Sequence, residues 1–241
     1  MSARFLLDAR YEPGVELELP ERAAHHALRV LRLRDGDAVE LFDGRGAGCE
    51  ARLVAAGRRA RAAVSRLLPD EPEPVLRIVL AQCVSSSDKM DWTVEKAVEL
   101  GAAAIVPVQS ERGTARLDPE RARRKVEHWH EVMVAACMQC GRRRLARLGA
   151  VAPLASLLAE PPAAERRVLL SPRGAGRLRE LAAAPRSVLL LAGPEAGLSD
   201  REEQAAQAAG FVPVRLGPRV LRTETAGPAA VAAIQALWGD G

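Results

Sequence analysis

Residues 187–203 read S-V-L-L-L-A-G-P-E-A-G-L-S-D-R-E-E, and residues 211–226 read F-V-P-V-R-L-G-P-R-V-L-R-T-E-T-A. Each stretch is an apolar, strand-like run that ends in a Gly/Pro-bearing loop and then enters a helix through a capping residue. In the first, Ser199-Asp200-Arg201-Glu202 has the spacing of a capping box. Loops at the carboxyl ends of buried strands are where open α/β sheets bind ligands, and helix N-termini offer free N–H groups there. Two such turns close together in sequence predict a site that grips a small ligand mainly by main chain. The first loop has no G-K-[ST] and is no P-loop, nor does it carry the G-x-G-x-x-G dinucleotide fingerprint.

Working outward, the texture from residue 75 onward is strand, helix, strand, helix. Val75–Gln82 is a continuous apolar run, and Ser85-Ser86-Ser87-Asp88 opens a helix that places Met90, Val94, Ala97 and Val98 on one face and stops at Gly101. Ala103–Val108 reads as a strand, Asp118-Pro119 starts a long basic helix, and Arg167–Leu170, Ser187–Ala192 and Phe211–Leu216 are further strands. The last helix is expected over Thr225–Trp238. Near-continuous apolar strands alternating with helices predict an α/β domain, its sheet mostly parallel and covered on both faces.

The first seventy residues differ. Val15–Leu19 and Ala38–Phe42 alternate apolar and polar residues, and a short helical stretch opens at Pro20-Glu21-Arg22 between them. Asp35-Gly36-Asp37 and Asp43-Gly44-Arg45-Gly46 are turn sequences, so a small β-barrel is expected over 1–70. Pro69-Asp70-Glu71-Pro72-Glu73-Pro74 can continue neither helix nor ladder and sets the boundary with a second domain over 75–241.

Composition sets the frame. The 241 residues are 48% hydrophobic and 27% charged, with no apolar run near the roughly 20 residues of a bilayer span. The N-terminal M-S-A-R-F-L-L-D has no signal-peptide core, so no membrane and a cytoplasmic location are expected. The net charge of +4 is compatible with a polyanion partner, and a GC-rich coding sequence would produce the same arginine excess. Cys137 and Cys140 form a lone C-x-x-C inside a helical pattern; neither a metal site nor a disulfide framework is expected.

Taken in order, several segments resemble the RsmE family, bacterial enzymes of the SPOUT class that methylate N3 of a uridine in 16S ribosomal RNA. They are Val30-Leu31-Arg32, Leu41-Phe42-Asp43-Gly44, Glu99-Leu100-Gly101, Pro107 with Ser110-Glu111-Arg112, Ala135-Ala136-Cys137, Gln139-Cys140-Gly141-Arg142, Gly193-Pro194-Glu195 and Leu216–Thr225. The resemblance spans almost the whole chain. It implies a PUA-like, RNA-binding barrel, then a SPOUT domain with a C-terminal deep trefoil knot, acting as a homodimer on the small ribosomal subunit. It implies S-adenosylmethionine held at Leu170, Ser171, Leu191, Gly193, Glu195, Gly197, Leu216, Gly217, Val220, Leu221 and Thr225. A sulfonium methyl is itself electrophilic, so no metal is expected. Uracil N3 carries a proton, so either a base removes it or a cation stabilises the charge that develops. Arg222 is the candidate cation, and Glu224 or Glu195 the candidate base; alone, Arg222 and Glu224 would read as a salt-bridged helix start. Arg29, Arg32, Arg112 and Arg142 are candidate RNA contacts, with Arg34 and Arg45 as further basic residues of the barrel.

Three positions depart from the family pattern: Ala196 for a glycine, Met138 for a common glutamate, and Ala146 for a common proline. Two rival readings remain. One is another SPOUT reaction, such as ribose 2′-O methylation; the other is an RNA-binding factor that has lost turnover.

Overall fold

The computed structural model describes residues 2–113, 117–180 and 184–240. The chain divides into two compact units, one of residues 1–73 with 137–145 and the other of residues 74–136 with 146–241.

The first unit is built on β1 (Ala3–Leu6), β2 (Glu16–Glu18), β3 (Ala38–Phe42), β4 (Gly48–Ala56) and β5 (Arg59–Leu67), with helix α1 (Glu21–His25) between β2 and β3. The strands form one sheet in the order β1-β3-β4-β5-β2, antiparallel except for β1 on β3. Alternation in β3 sends Val39 and Leu41 into a core with Phe5, Leu19, Ala27, Leu53 and Ala62. After α1 the chain widens into a π-turn over His26–Val30, and Arg32 then takes a left-handed φ of 54°.

The segment Cys137–Leu145, which the proline-rich boundary left with the second domain, belongs to this unit. Its physical reason is Arg4. This buried guanidinium donates to the Cys137 carbonyl at 2.9 Å and to Glu40 at 2.7 Å. Met138 packs against the same core, which accounts for an apolar residue there. Cys137 is buried, and burial pushes its thiol up to about 12, so it holds no reactive thiolate.

The second unit contains β6 (Arg77–Cys83), α2 (Ser87–Glu99), β7 (Ala104–Gln109), α3 (Pro119–Cys140, whose last turn lies in the first unit), β8 (Arg147–Leu148), β9 (Ala152–Pro153) and α4 (Leu154–Ala159). It continues through β10 (Arg166–Leu170), β11 (Gly176–Arg177), β12 (Ser187–Ala192), α5 (Asp200–Ala208), β13 (Val212–Arg215) and α6 (Thr223–Trp238). The sheet is parallel throughout, in the order β11-β13-β10-β12-β6-β7-β8, with β9 also on β7.

Both faces are covered, as the apolar runs require. Val79, Ala81, Leu169, Leu189 and Leu191 pack under Leu154 and Leu157 of α4 and Ala206 of α5. The opposite face carries α6, which lies on β6 and β12 and against α2. No helix among the described residues is long and apolar enough to cross a membrane.

Candidate functional site

Three loops leave the carboxyl ends of β10, β12 and β13, and their residues enclose a cavity of about 560 Å³ within the second unit. Such a volume suits a cofactor-sized molecule. The first loop contributes Leu170, Ser171 and Pro172, the second Gly193 to Leu198, and the third Leu216, Gly217 and Arg219 to Arg222.

Local sequence explains the loop shapes. Ser199 caps α5: its hydroxyl accepts from the Glu202 N–H at 3.2 Å, and the Glu202 carboxylate accepts from the Ser199 N–H at 2.9 Å. This is the expected capping box, and it halts the chain at the loop's exit. Within the loop Gly197, not Ala196, takes the left-handed φ, at 70°. Alanine therefore fits the position where the family has glycine.

The third loop departs from expectation. Helix α6 begins at Thr223, two residues earlier than Thr225, and its N-cap Arg222 makes no side-chain capping bond. The Thr223 hydroxyl instead donates to the Gly193 carbonyl at 2.8 Å. The early start decides which side chains face the cavity. Helical periodicity brings Thr223 and Ala226 to the cavity wall and turns Glu224 and Thr225 away from it. Leu191 is likewise not on the wall, because strand alternation points it into the α4/α5 core. Of the expected site residues, Leu170, Ser171, Gly193, Glu195, Gly197, Leu216, Gly217, Val220, Leu221 and Arg222 do come together there.

The wall also includes residues that the motifs did not single out for the site. Lys89 pairs with Glu195 at 3.1 Å across 106 positions of sequence, and the Ser86 N–H reaches the same carboxylate at 3.4 Å. Burial alone would raise the Glu195 carboxyl. Its own backbone N–H, Lys89 and Ser86 outweigh that and hold it below the ordinary value. Glu203, on α5, accepts from the Ser171 hydroxyl at 3.2 Å and pairs with Arg173 at 3.0 Å. Arg215 and Arg219 add positive charge to the wall beside Arg222. No local pattern marks Lys89 or Glu203; only the sheet order brings them to the loops.

The candidate RNA-contacting arginines fall in both units. Arg29, Arg32 and Arg34 are exposed around the π-turn of the first unit, where Arg142 is half-buried. Arg45 is engaged by Asp8 at 2.7 Å and Asp43 at 3.3 Å. Arg112 is exposed in the second unit, in the segment after β7. Its neighbour Glu111 is tied to α5, since the Glu111 N–H donates to Glu202 at 2.7 Å and its carboxylate accepts from Ser199 at 2.8 Å. Among the described residues no group of His, Cys, Asp or Glu side chains is placed to hold a metal ion.

Comparison with known proteins agrees with this geometry. A family model for the RNA methyltransferase domain matches residues 71–235, and one for the RNA methyltransferase PUA domain matches residues 19–60. Ribosomal RNA small subunit methyltransferase E of Bacillus subtilis is 30% identical over 98% of this chain and 97% of its own. Its counterpart from Mycobacterium tuberculosis is 32% identical over 97% and 91%. The crystal structure of ribosomal RNA small subunit methyltransferase E from Neisseria gonorrhoeae, bound to S-adenosyl methionine, superposes with a TM-score of 0.91. It is 37% identical and covers 100% of this chain and 99% of that one. A Legionella pneumophila methyltransferase in complex with the bound cofactor SAM gives a TM-score of 0.95 at 33% identity, with 100% of both chains covered. With its cavity assembled from three strand-end loops and these likenesses running from end to end, the chain belongs to the ribosomal RNA small subunit methyltransferase E family of RNA methyltransferases.

Proposed function

We propose that this protein is an S-adenosylmethionine-dependent methyltransferase that modifies N3 of a uridine in 16S ribosomal RNA on the small subunit. The observation that carries the reading is the cavity, built from three loops at the end of the sheet in a chain whose relatives are named as methyltransferases of small-subunit ribosomal RNA. The residues present fit the cofactor. Leu170, Leu198, Leu216 and Leu221 offer apolar surface for an adenine, Gly193, Gly197 and Gly217 expose main chain, and the Glu203 carboxylate suits hydroxyl or ammonium groups. When bound, S-adenosylmethionine supplies a methyl group on a positively charged sulfur, an electrophile that needs no metal.

The protein's part is to orient the uracil and ease the loss of its N3 proton. Arg222 lines the cavity at the N-cap of α6, where the helix dipole adds positive potential. Its guanidinium stabilises the negative charge that gathers on O2 or O4 as N3 ionises. Glu195, paired with Lys89 and held below the ordinary carboxylate value, is a poor proton acceptor and serves to fix the 193–197 loop. Glu224 lies off the cavity wall and Glu203 is engaged by Arg173 and Ser171, so the proton leaves to solvent. Arg29, Arg32, Arg112 and Arg142 contact the RNA, and the target uridine is unstacked to enter.

The same reading gives the first unit a PUA-like barrel and the second a SPOUT domain with a C-terminal trefoil knot, in a homodimer. Support for the knot is the sheet order, which sets β12 between β6 and β10, together with the return of α6 onto β6 and β12.

The test is to incubate the protein and labelled S-adenosylmethionine with small subunits that lack the modification, followed by nucleoside mass spectrometry. 3-Methyluridine is the expected product. A ribose methyl, or no transfer despite cofactor binding, overturns the assignment.

A further inference from the structure

Gln82 is a polar residue in a strand otherwise made for the core. It is fully buried in β6, among Ile78, Val79, Leu80, Ala81 and Cys83, all buried as well. A buried amide is costly unless its groups are used; here Nε2 is used, while Oε1 is buried with no hydrogen-bond partner among the described residues. Its Nε2 donates to the carbonyl of Cys83 at 3.2 Å and to the hydroxyl of Thr223, also at 3.2 Å. Thr223 in turn donates to the carbonyl of Gly193. Its hydroxyl thus accepts and donates at once, joining three segments that are far apart in sequence.

The placement follows from the sheet. Gln82 pairs in register with Ala192 on the neighbouring strand, so its amide lies beside the point where β12 becomes the 193–198 loop. Helix α6 comes very close: a Cβ on Gly227 would stand 2.9 Å from Gln82 Oε1 and 3.2 Å from Leu80. A glycine there lets the helix settle onto β6 with its first turn at the strand ends. Gly193 and Thr223 are both on the cavity wall, while Gln82 is not.

We propose that Gln82 is a positioning residue that, through Thr223, latches the loop after β12 to the loop before α6 and so holds the cofactor cavity in its binding shape. The inference rests on the reading of that cavity as the S-adenosylmethionine site. Gln82 touches no ligand; it orients the Thr223 hydroxyl, and Thr223 sets the distance between the two loops. Because the hydroxyl must both accept and donate, serine can replace threonine and valine cannot.

The experiment compares wild type with Thr223→Val, Thr223→Ser, Gln82→Met and the Gln82→Met/Thr223→Val double variant. S-adenosylmethionine affinity is read by calorimetry, and amide exchange is read on the ligand-free protein. Thr223→Val and Gln82→Met should each weaken binding about tenfold, the double variant little further, and Thr223→Ser less than twofold. Amides of residues 195–197 and 219–222 should exchange faster in Thr223→Val while those of β12 stay protected, a pattern that general destabilisation does not produce. If Gln82→Met folds poorly, the Thr223 pair still decides the matter. Unchanged affinity and loop exchange in Thr223→Val overturn the latch. A wild-type protein that binds no S-adenosylmethionine overturns the cavity reading instead, and the exchange data then judge the latch separately.

Discussion

Two side chains on the cavity wall invite opposite expectations. Arg222 sits in the loop before α6 and is exposed, so its removal should spare the fold. Arg222→Ala is expected to lower turnover about a hundredfold, the scale of losing one charge-stabilising donor, while the thermal midpoint stays within about 2 °C, as for other surface changes. Single-turnover kinetics beside a melting curve checks both halves. Glu195 works differently. Its folded carboxyl lies below the unfolded value of 4.5, so its pairing with Lys89 contributes stability above that value and loses it as pH falls through the folded value. The difference in midpoint between wild type and Glu195→Gln should therefore be level from pH 7 to about 5 and shrink under further acidification. Midpoints measured across that range test it; a difference that grows toward acid would show the sign to be wrong. If the N3 proton leaves to solvent, the methylation rate should rise with pH through neutrality in both proteins, without the break that a carboxylate base would impose.

At the scale of elements, α5 does two things with one terminus. Its capping box ends the 193–198 loop, and the same Ser199 and Glu202 hold Glu111 in the segment after β7. Ser199→Ala removes an accepting and a donating bond together. The expected cost is about 1 kcal/mol, or a fall of roughly 2–4 °C in midpoint, measured by thermal or urea unfolding. The box was legible in the sequence because its spacing is local. Its second task was not, since residue 111 and residue 202 meet only through the tertiary fold. The entry to α6 teaches the same lesson from the other side. Thr225 and Glu224 looked like site residues, yet the helix begins at Thr223, and a two-residue shift rotates side chains far enough to exchange 224 and 225 for 223 and 226.

For the whole molecule, the proline-rich stretch at 69–74 marks a boundary that the chain crosses again, because residues 137–145 belong with the first unit. A fragment ending at Glu73 would keep the Arg4–Glu40 pair but lose the Cys137 and Arg142 carbonyls and the Met138 side chain that packs on the same core. A hydrogen bond to a charged group contributes about 1.5–3 kcal/mol, a large share of the stability of so small a unit. Residues 1–73 alone should therefore give no cooperative melt by circular dichroism, and a fusion that restores 137–145 through a short linker should recover one. A stable native-like fragment would show that Arg4 finds other partners.

The class of each half, most strand and helix positions, the capping box, and the loops around 170, 193–197 and 216–222 were legible in the residues alone, because those features depend on neighbours within a few residues. The ordered motifs likewise identified the family. Which side chains of those loops share a cavity, the pairing of Lys89 with Glu195, the place of Leu191 in the core and the meeting of Gln82 with Thr223 came from the folded arrangement. A parallel sheet explains the division. It brings together strand ends that lie tens of residues apart, and the order in which it sets them is a property of packing rather than of any local run of residues.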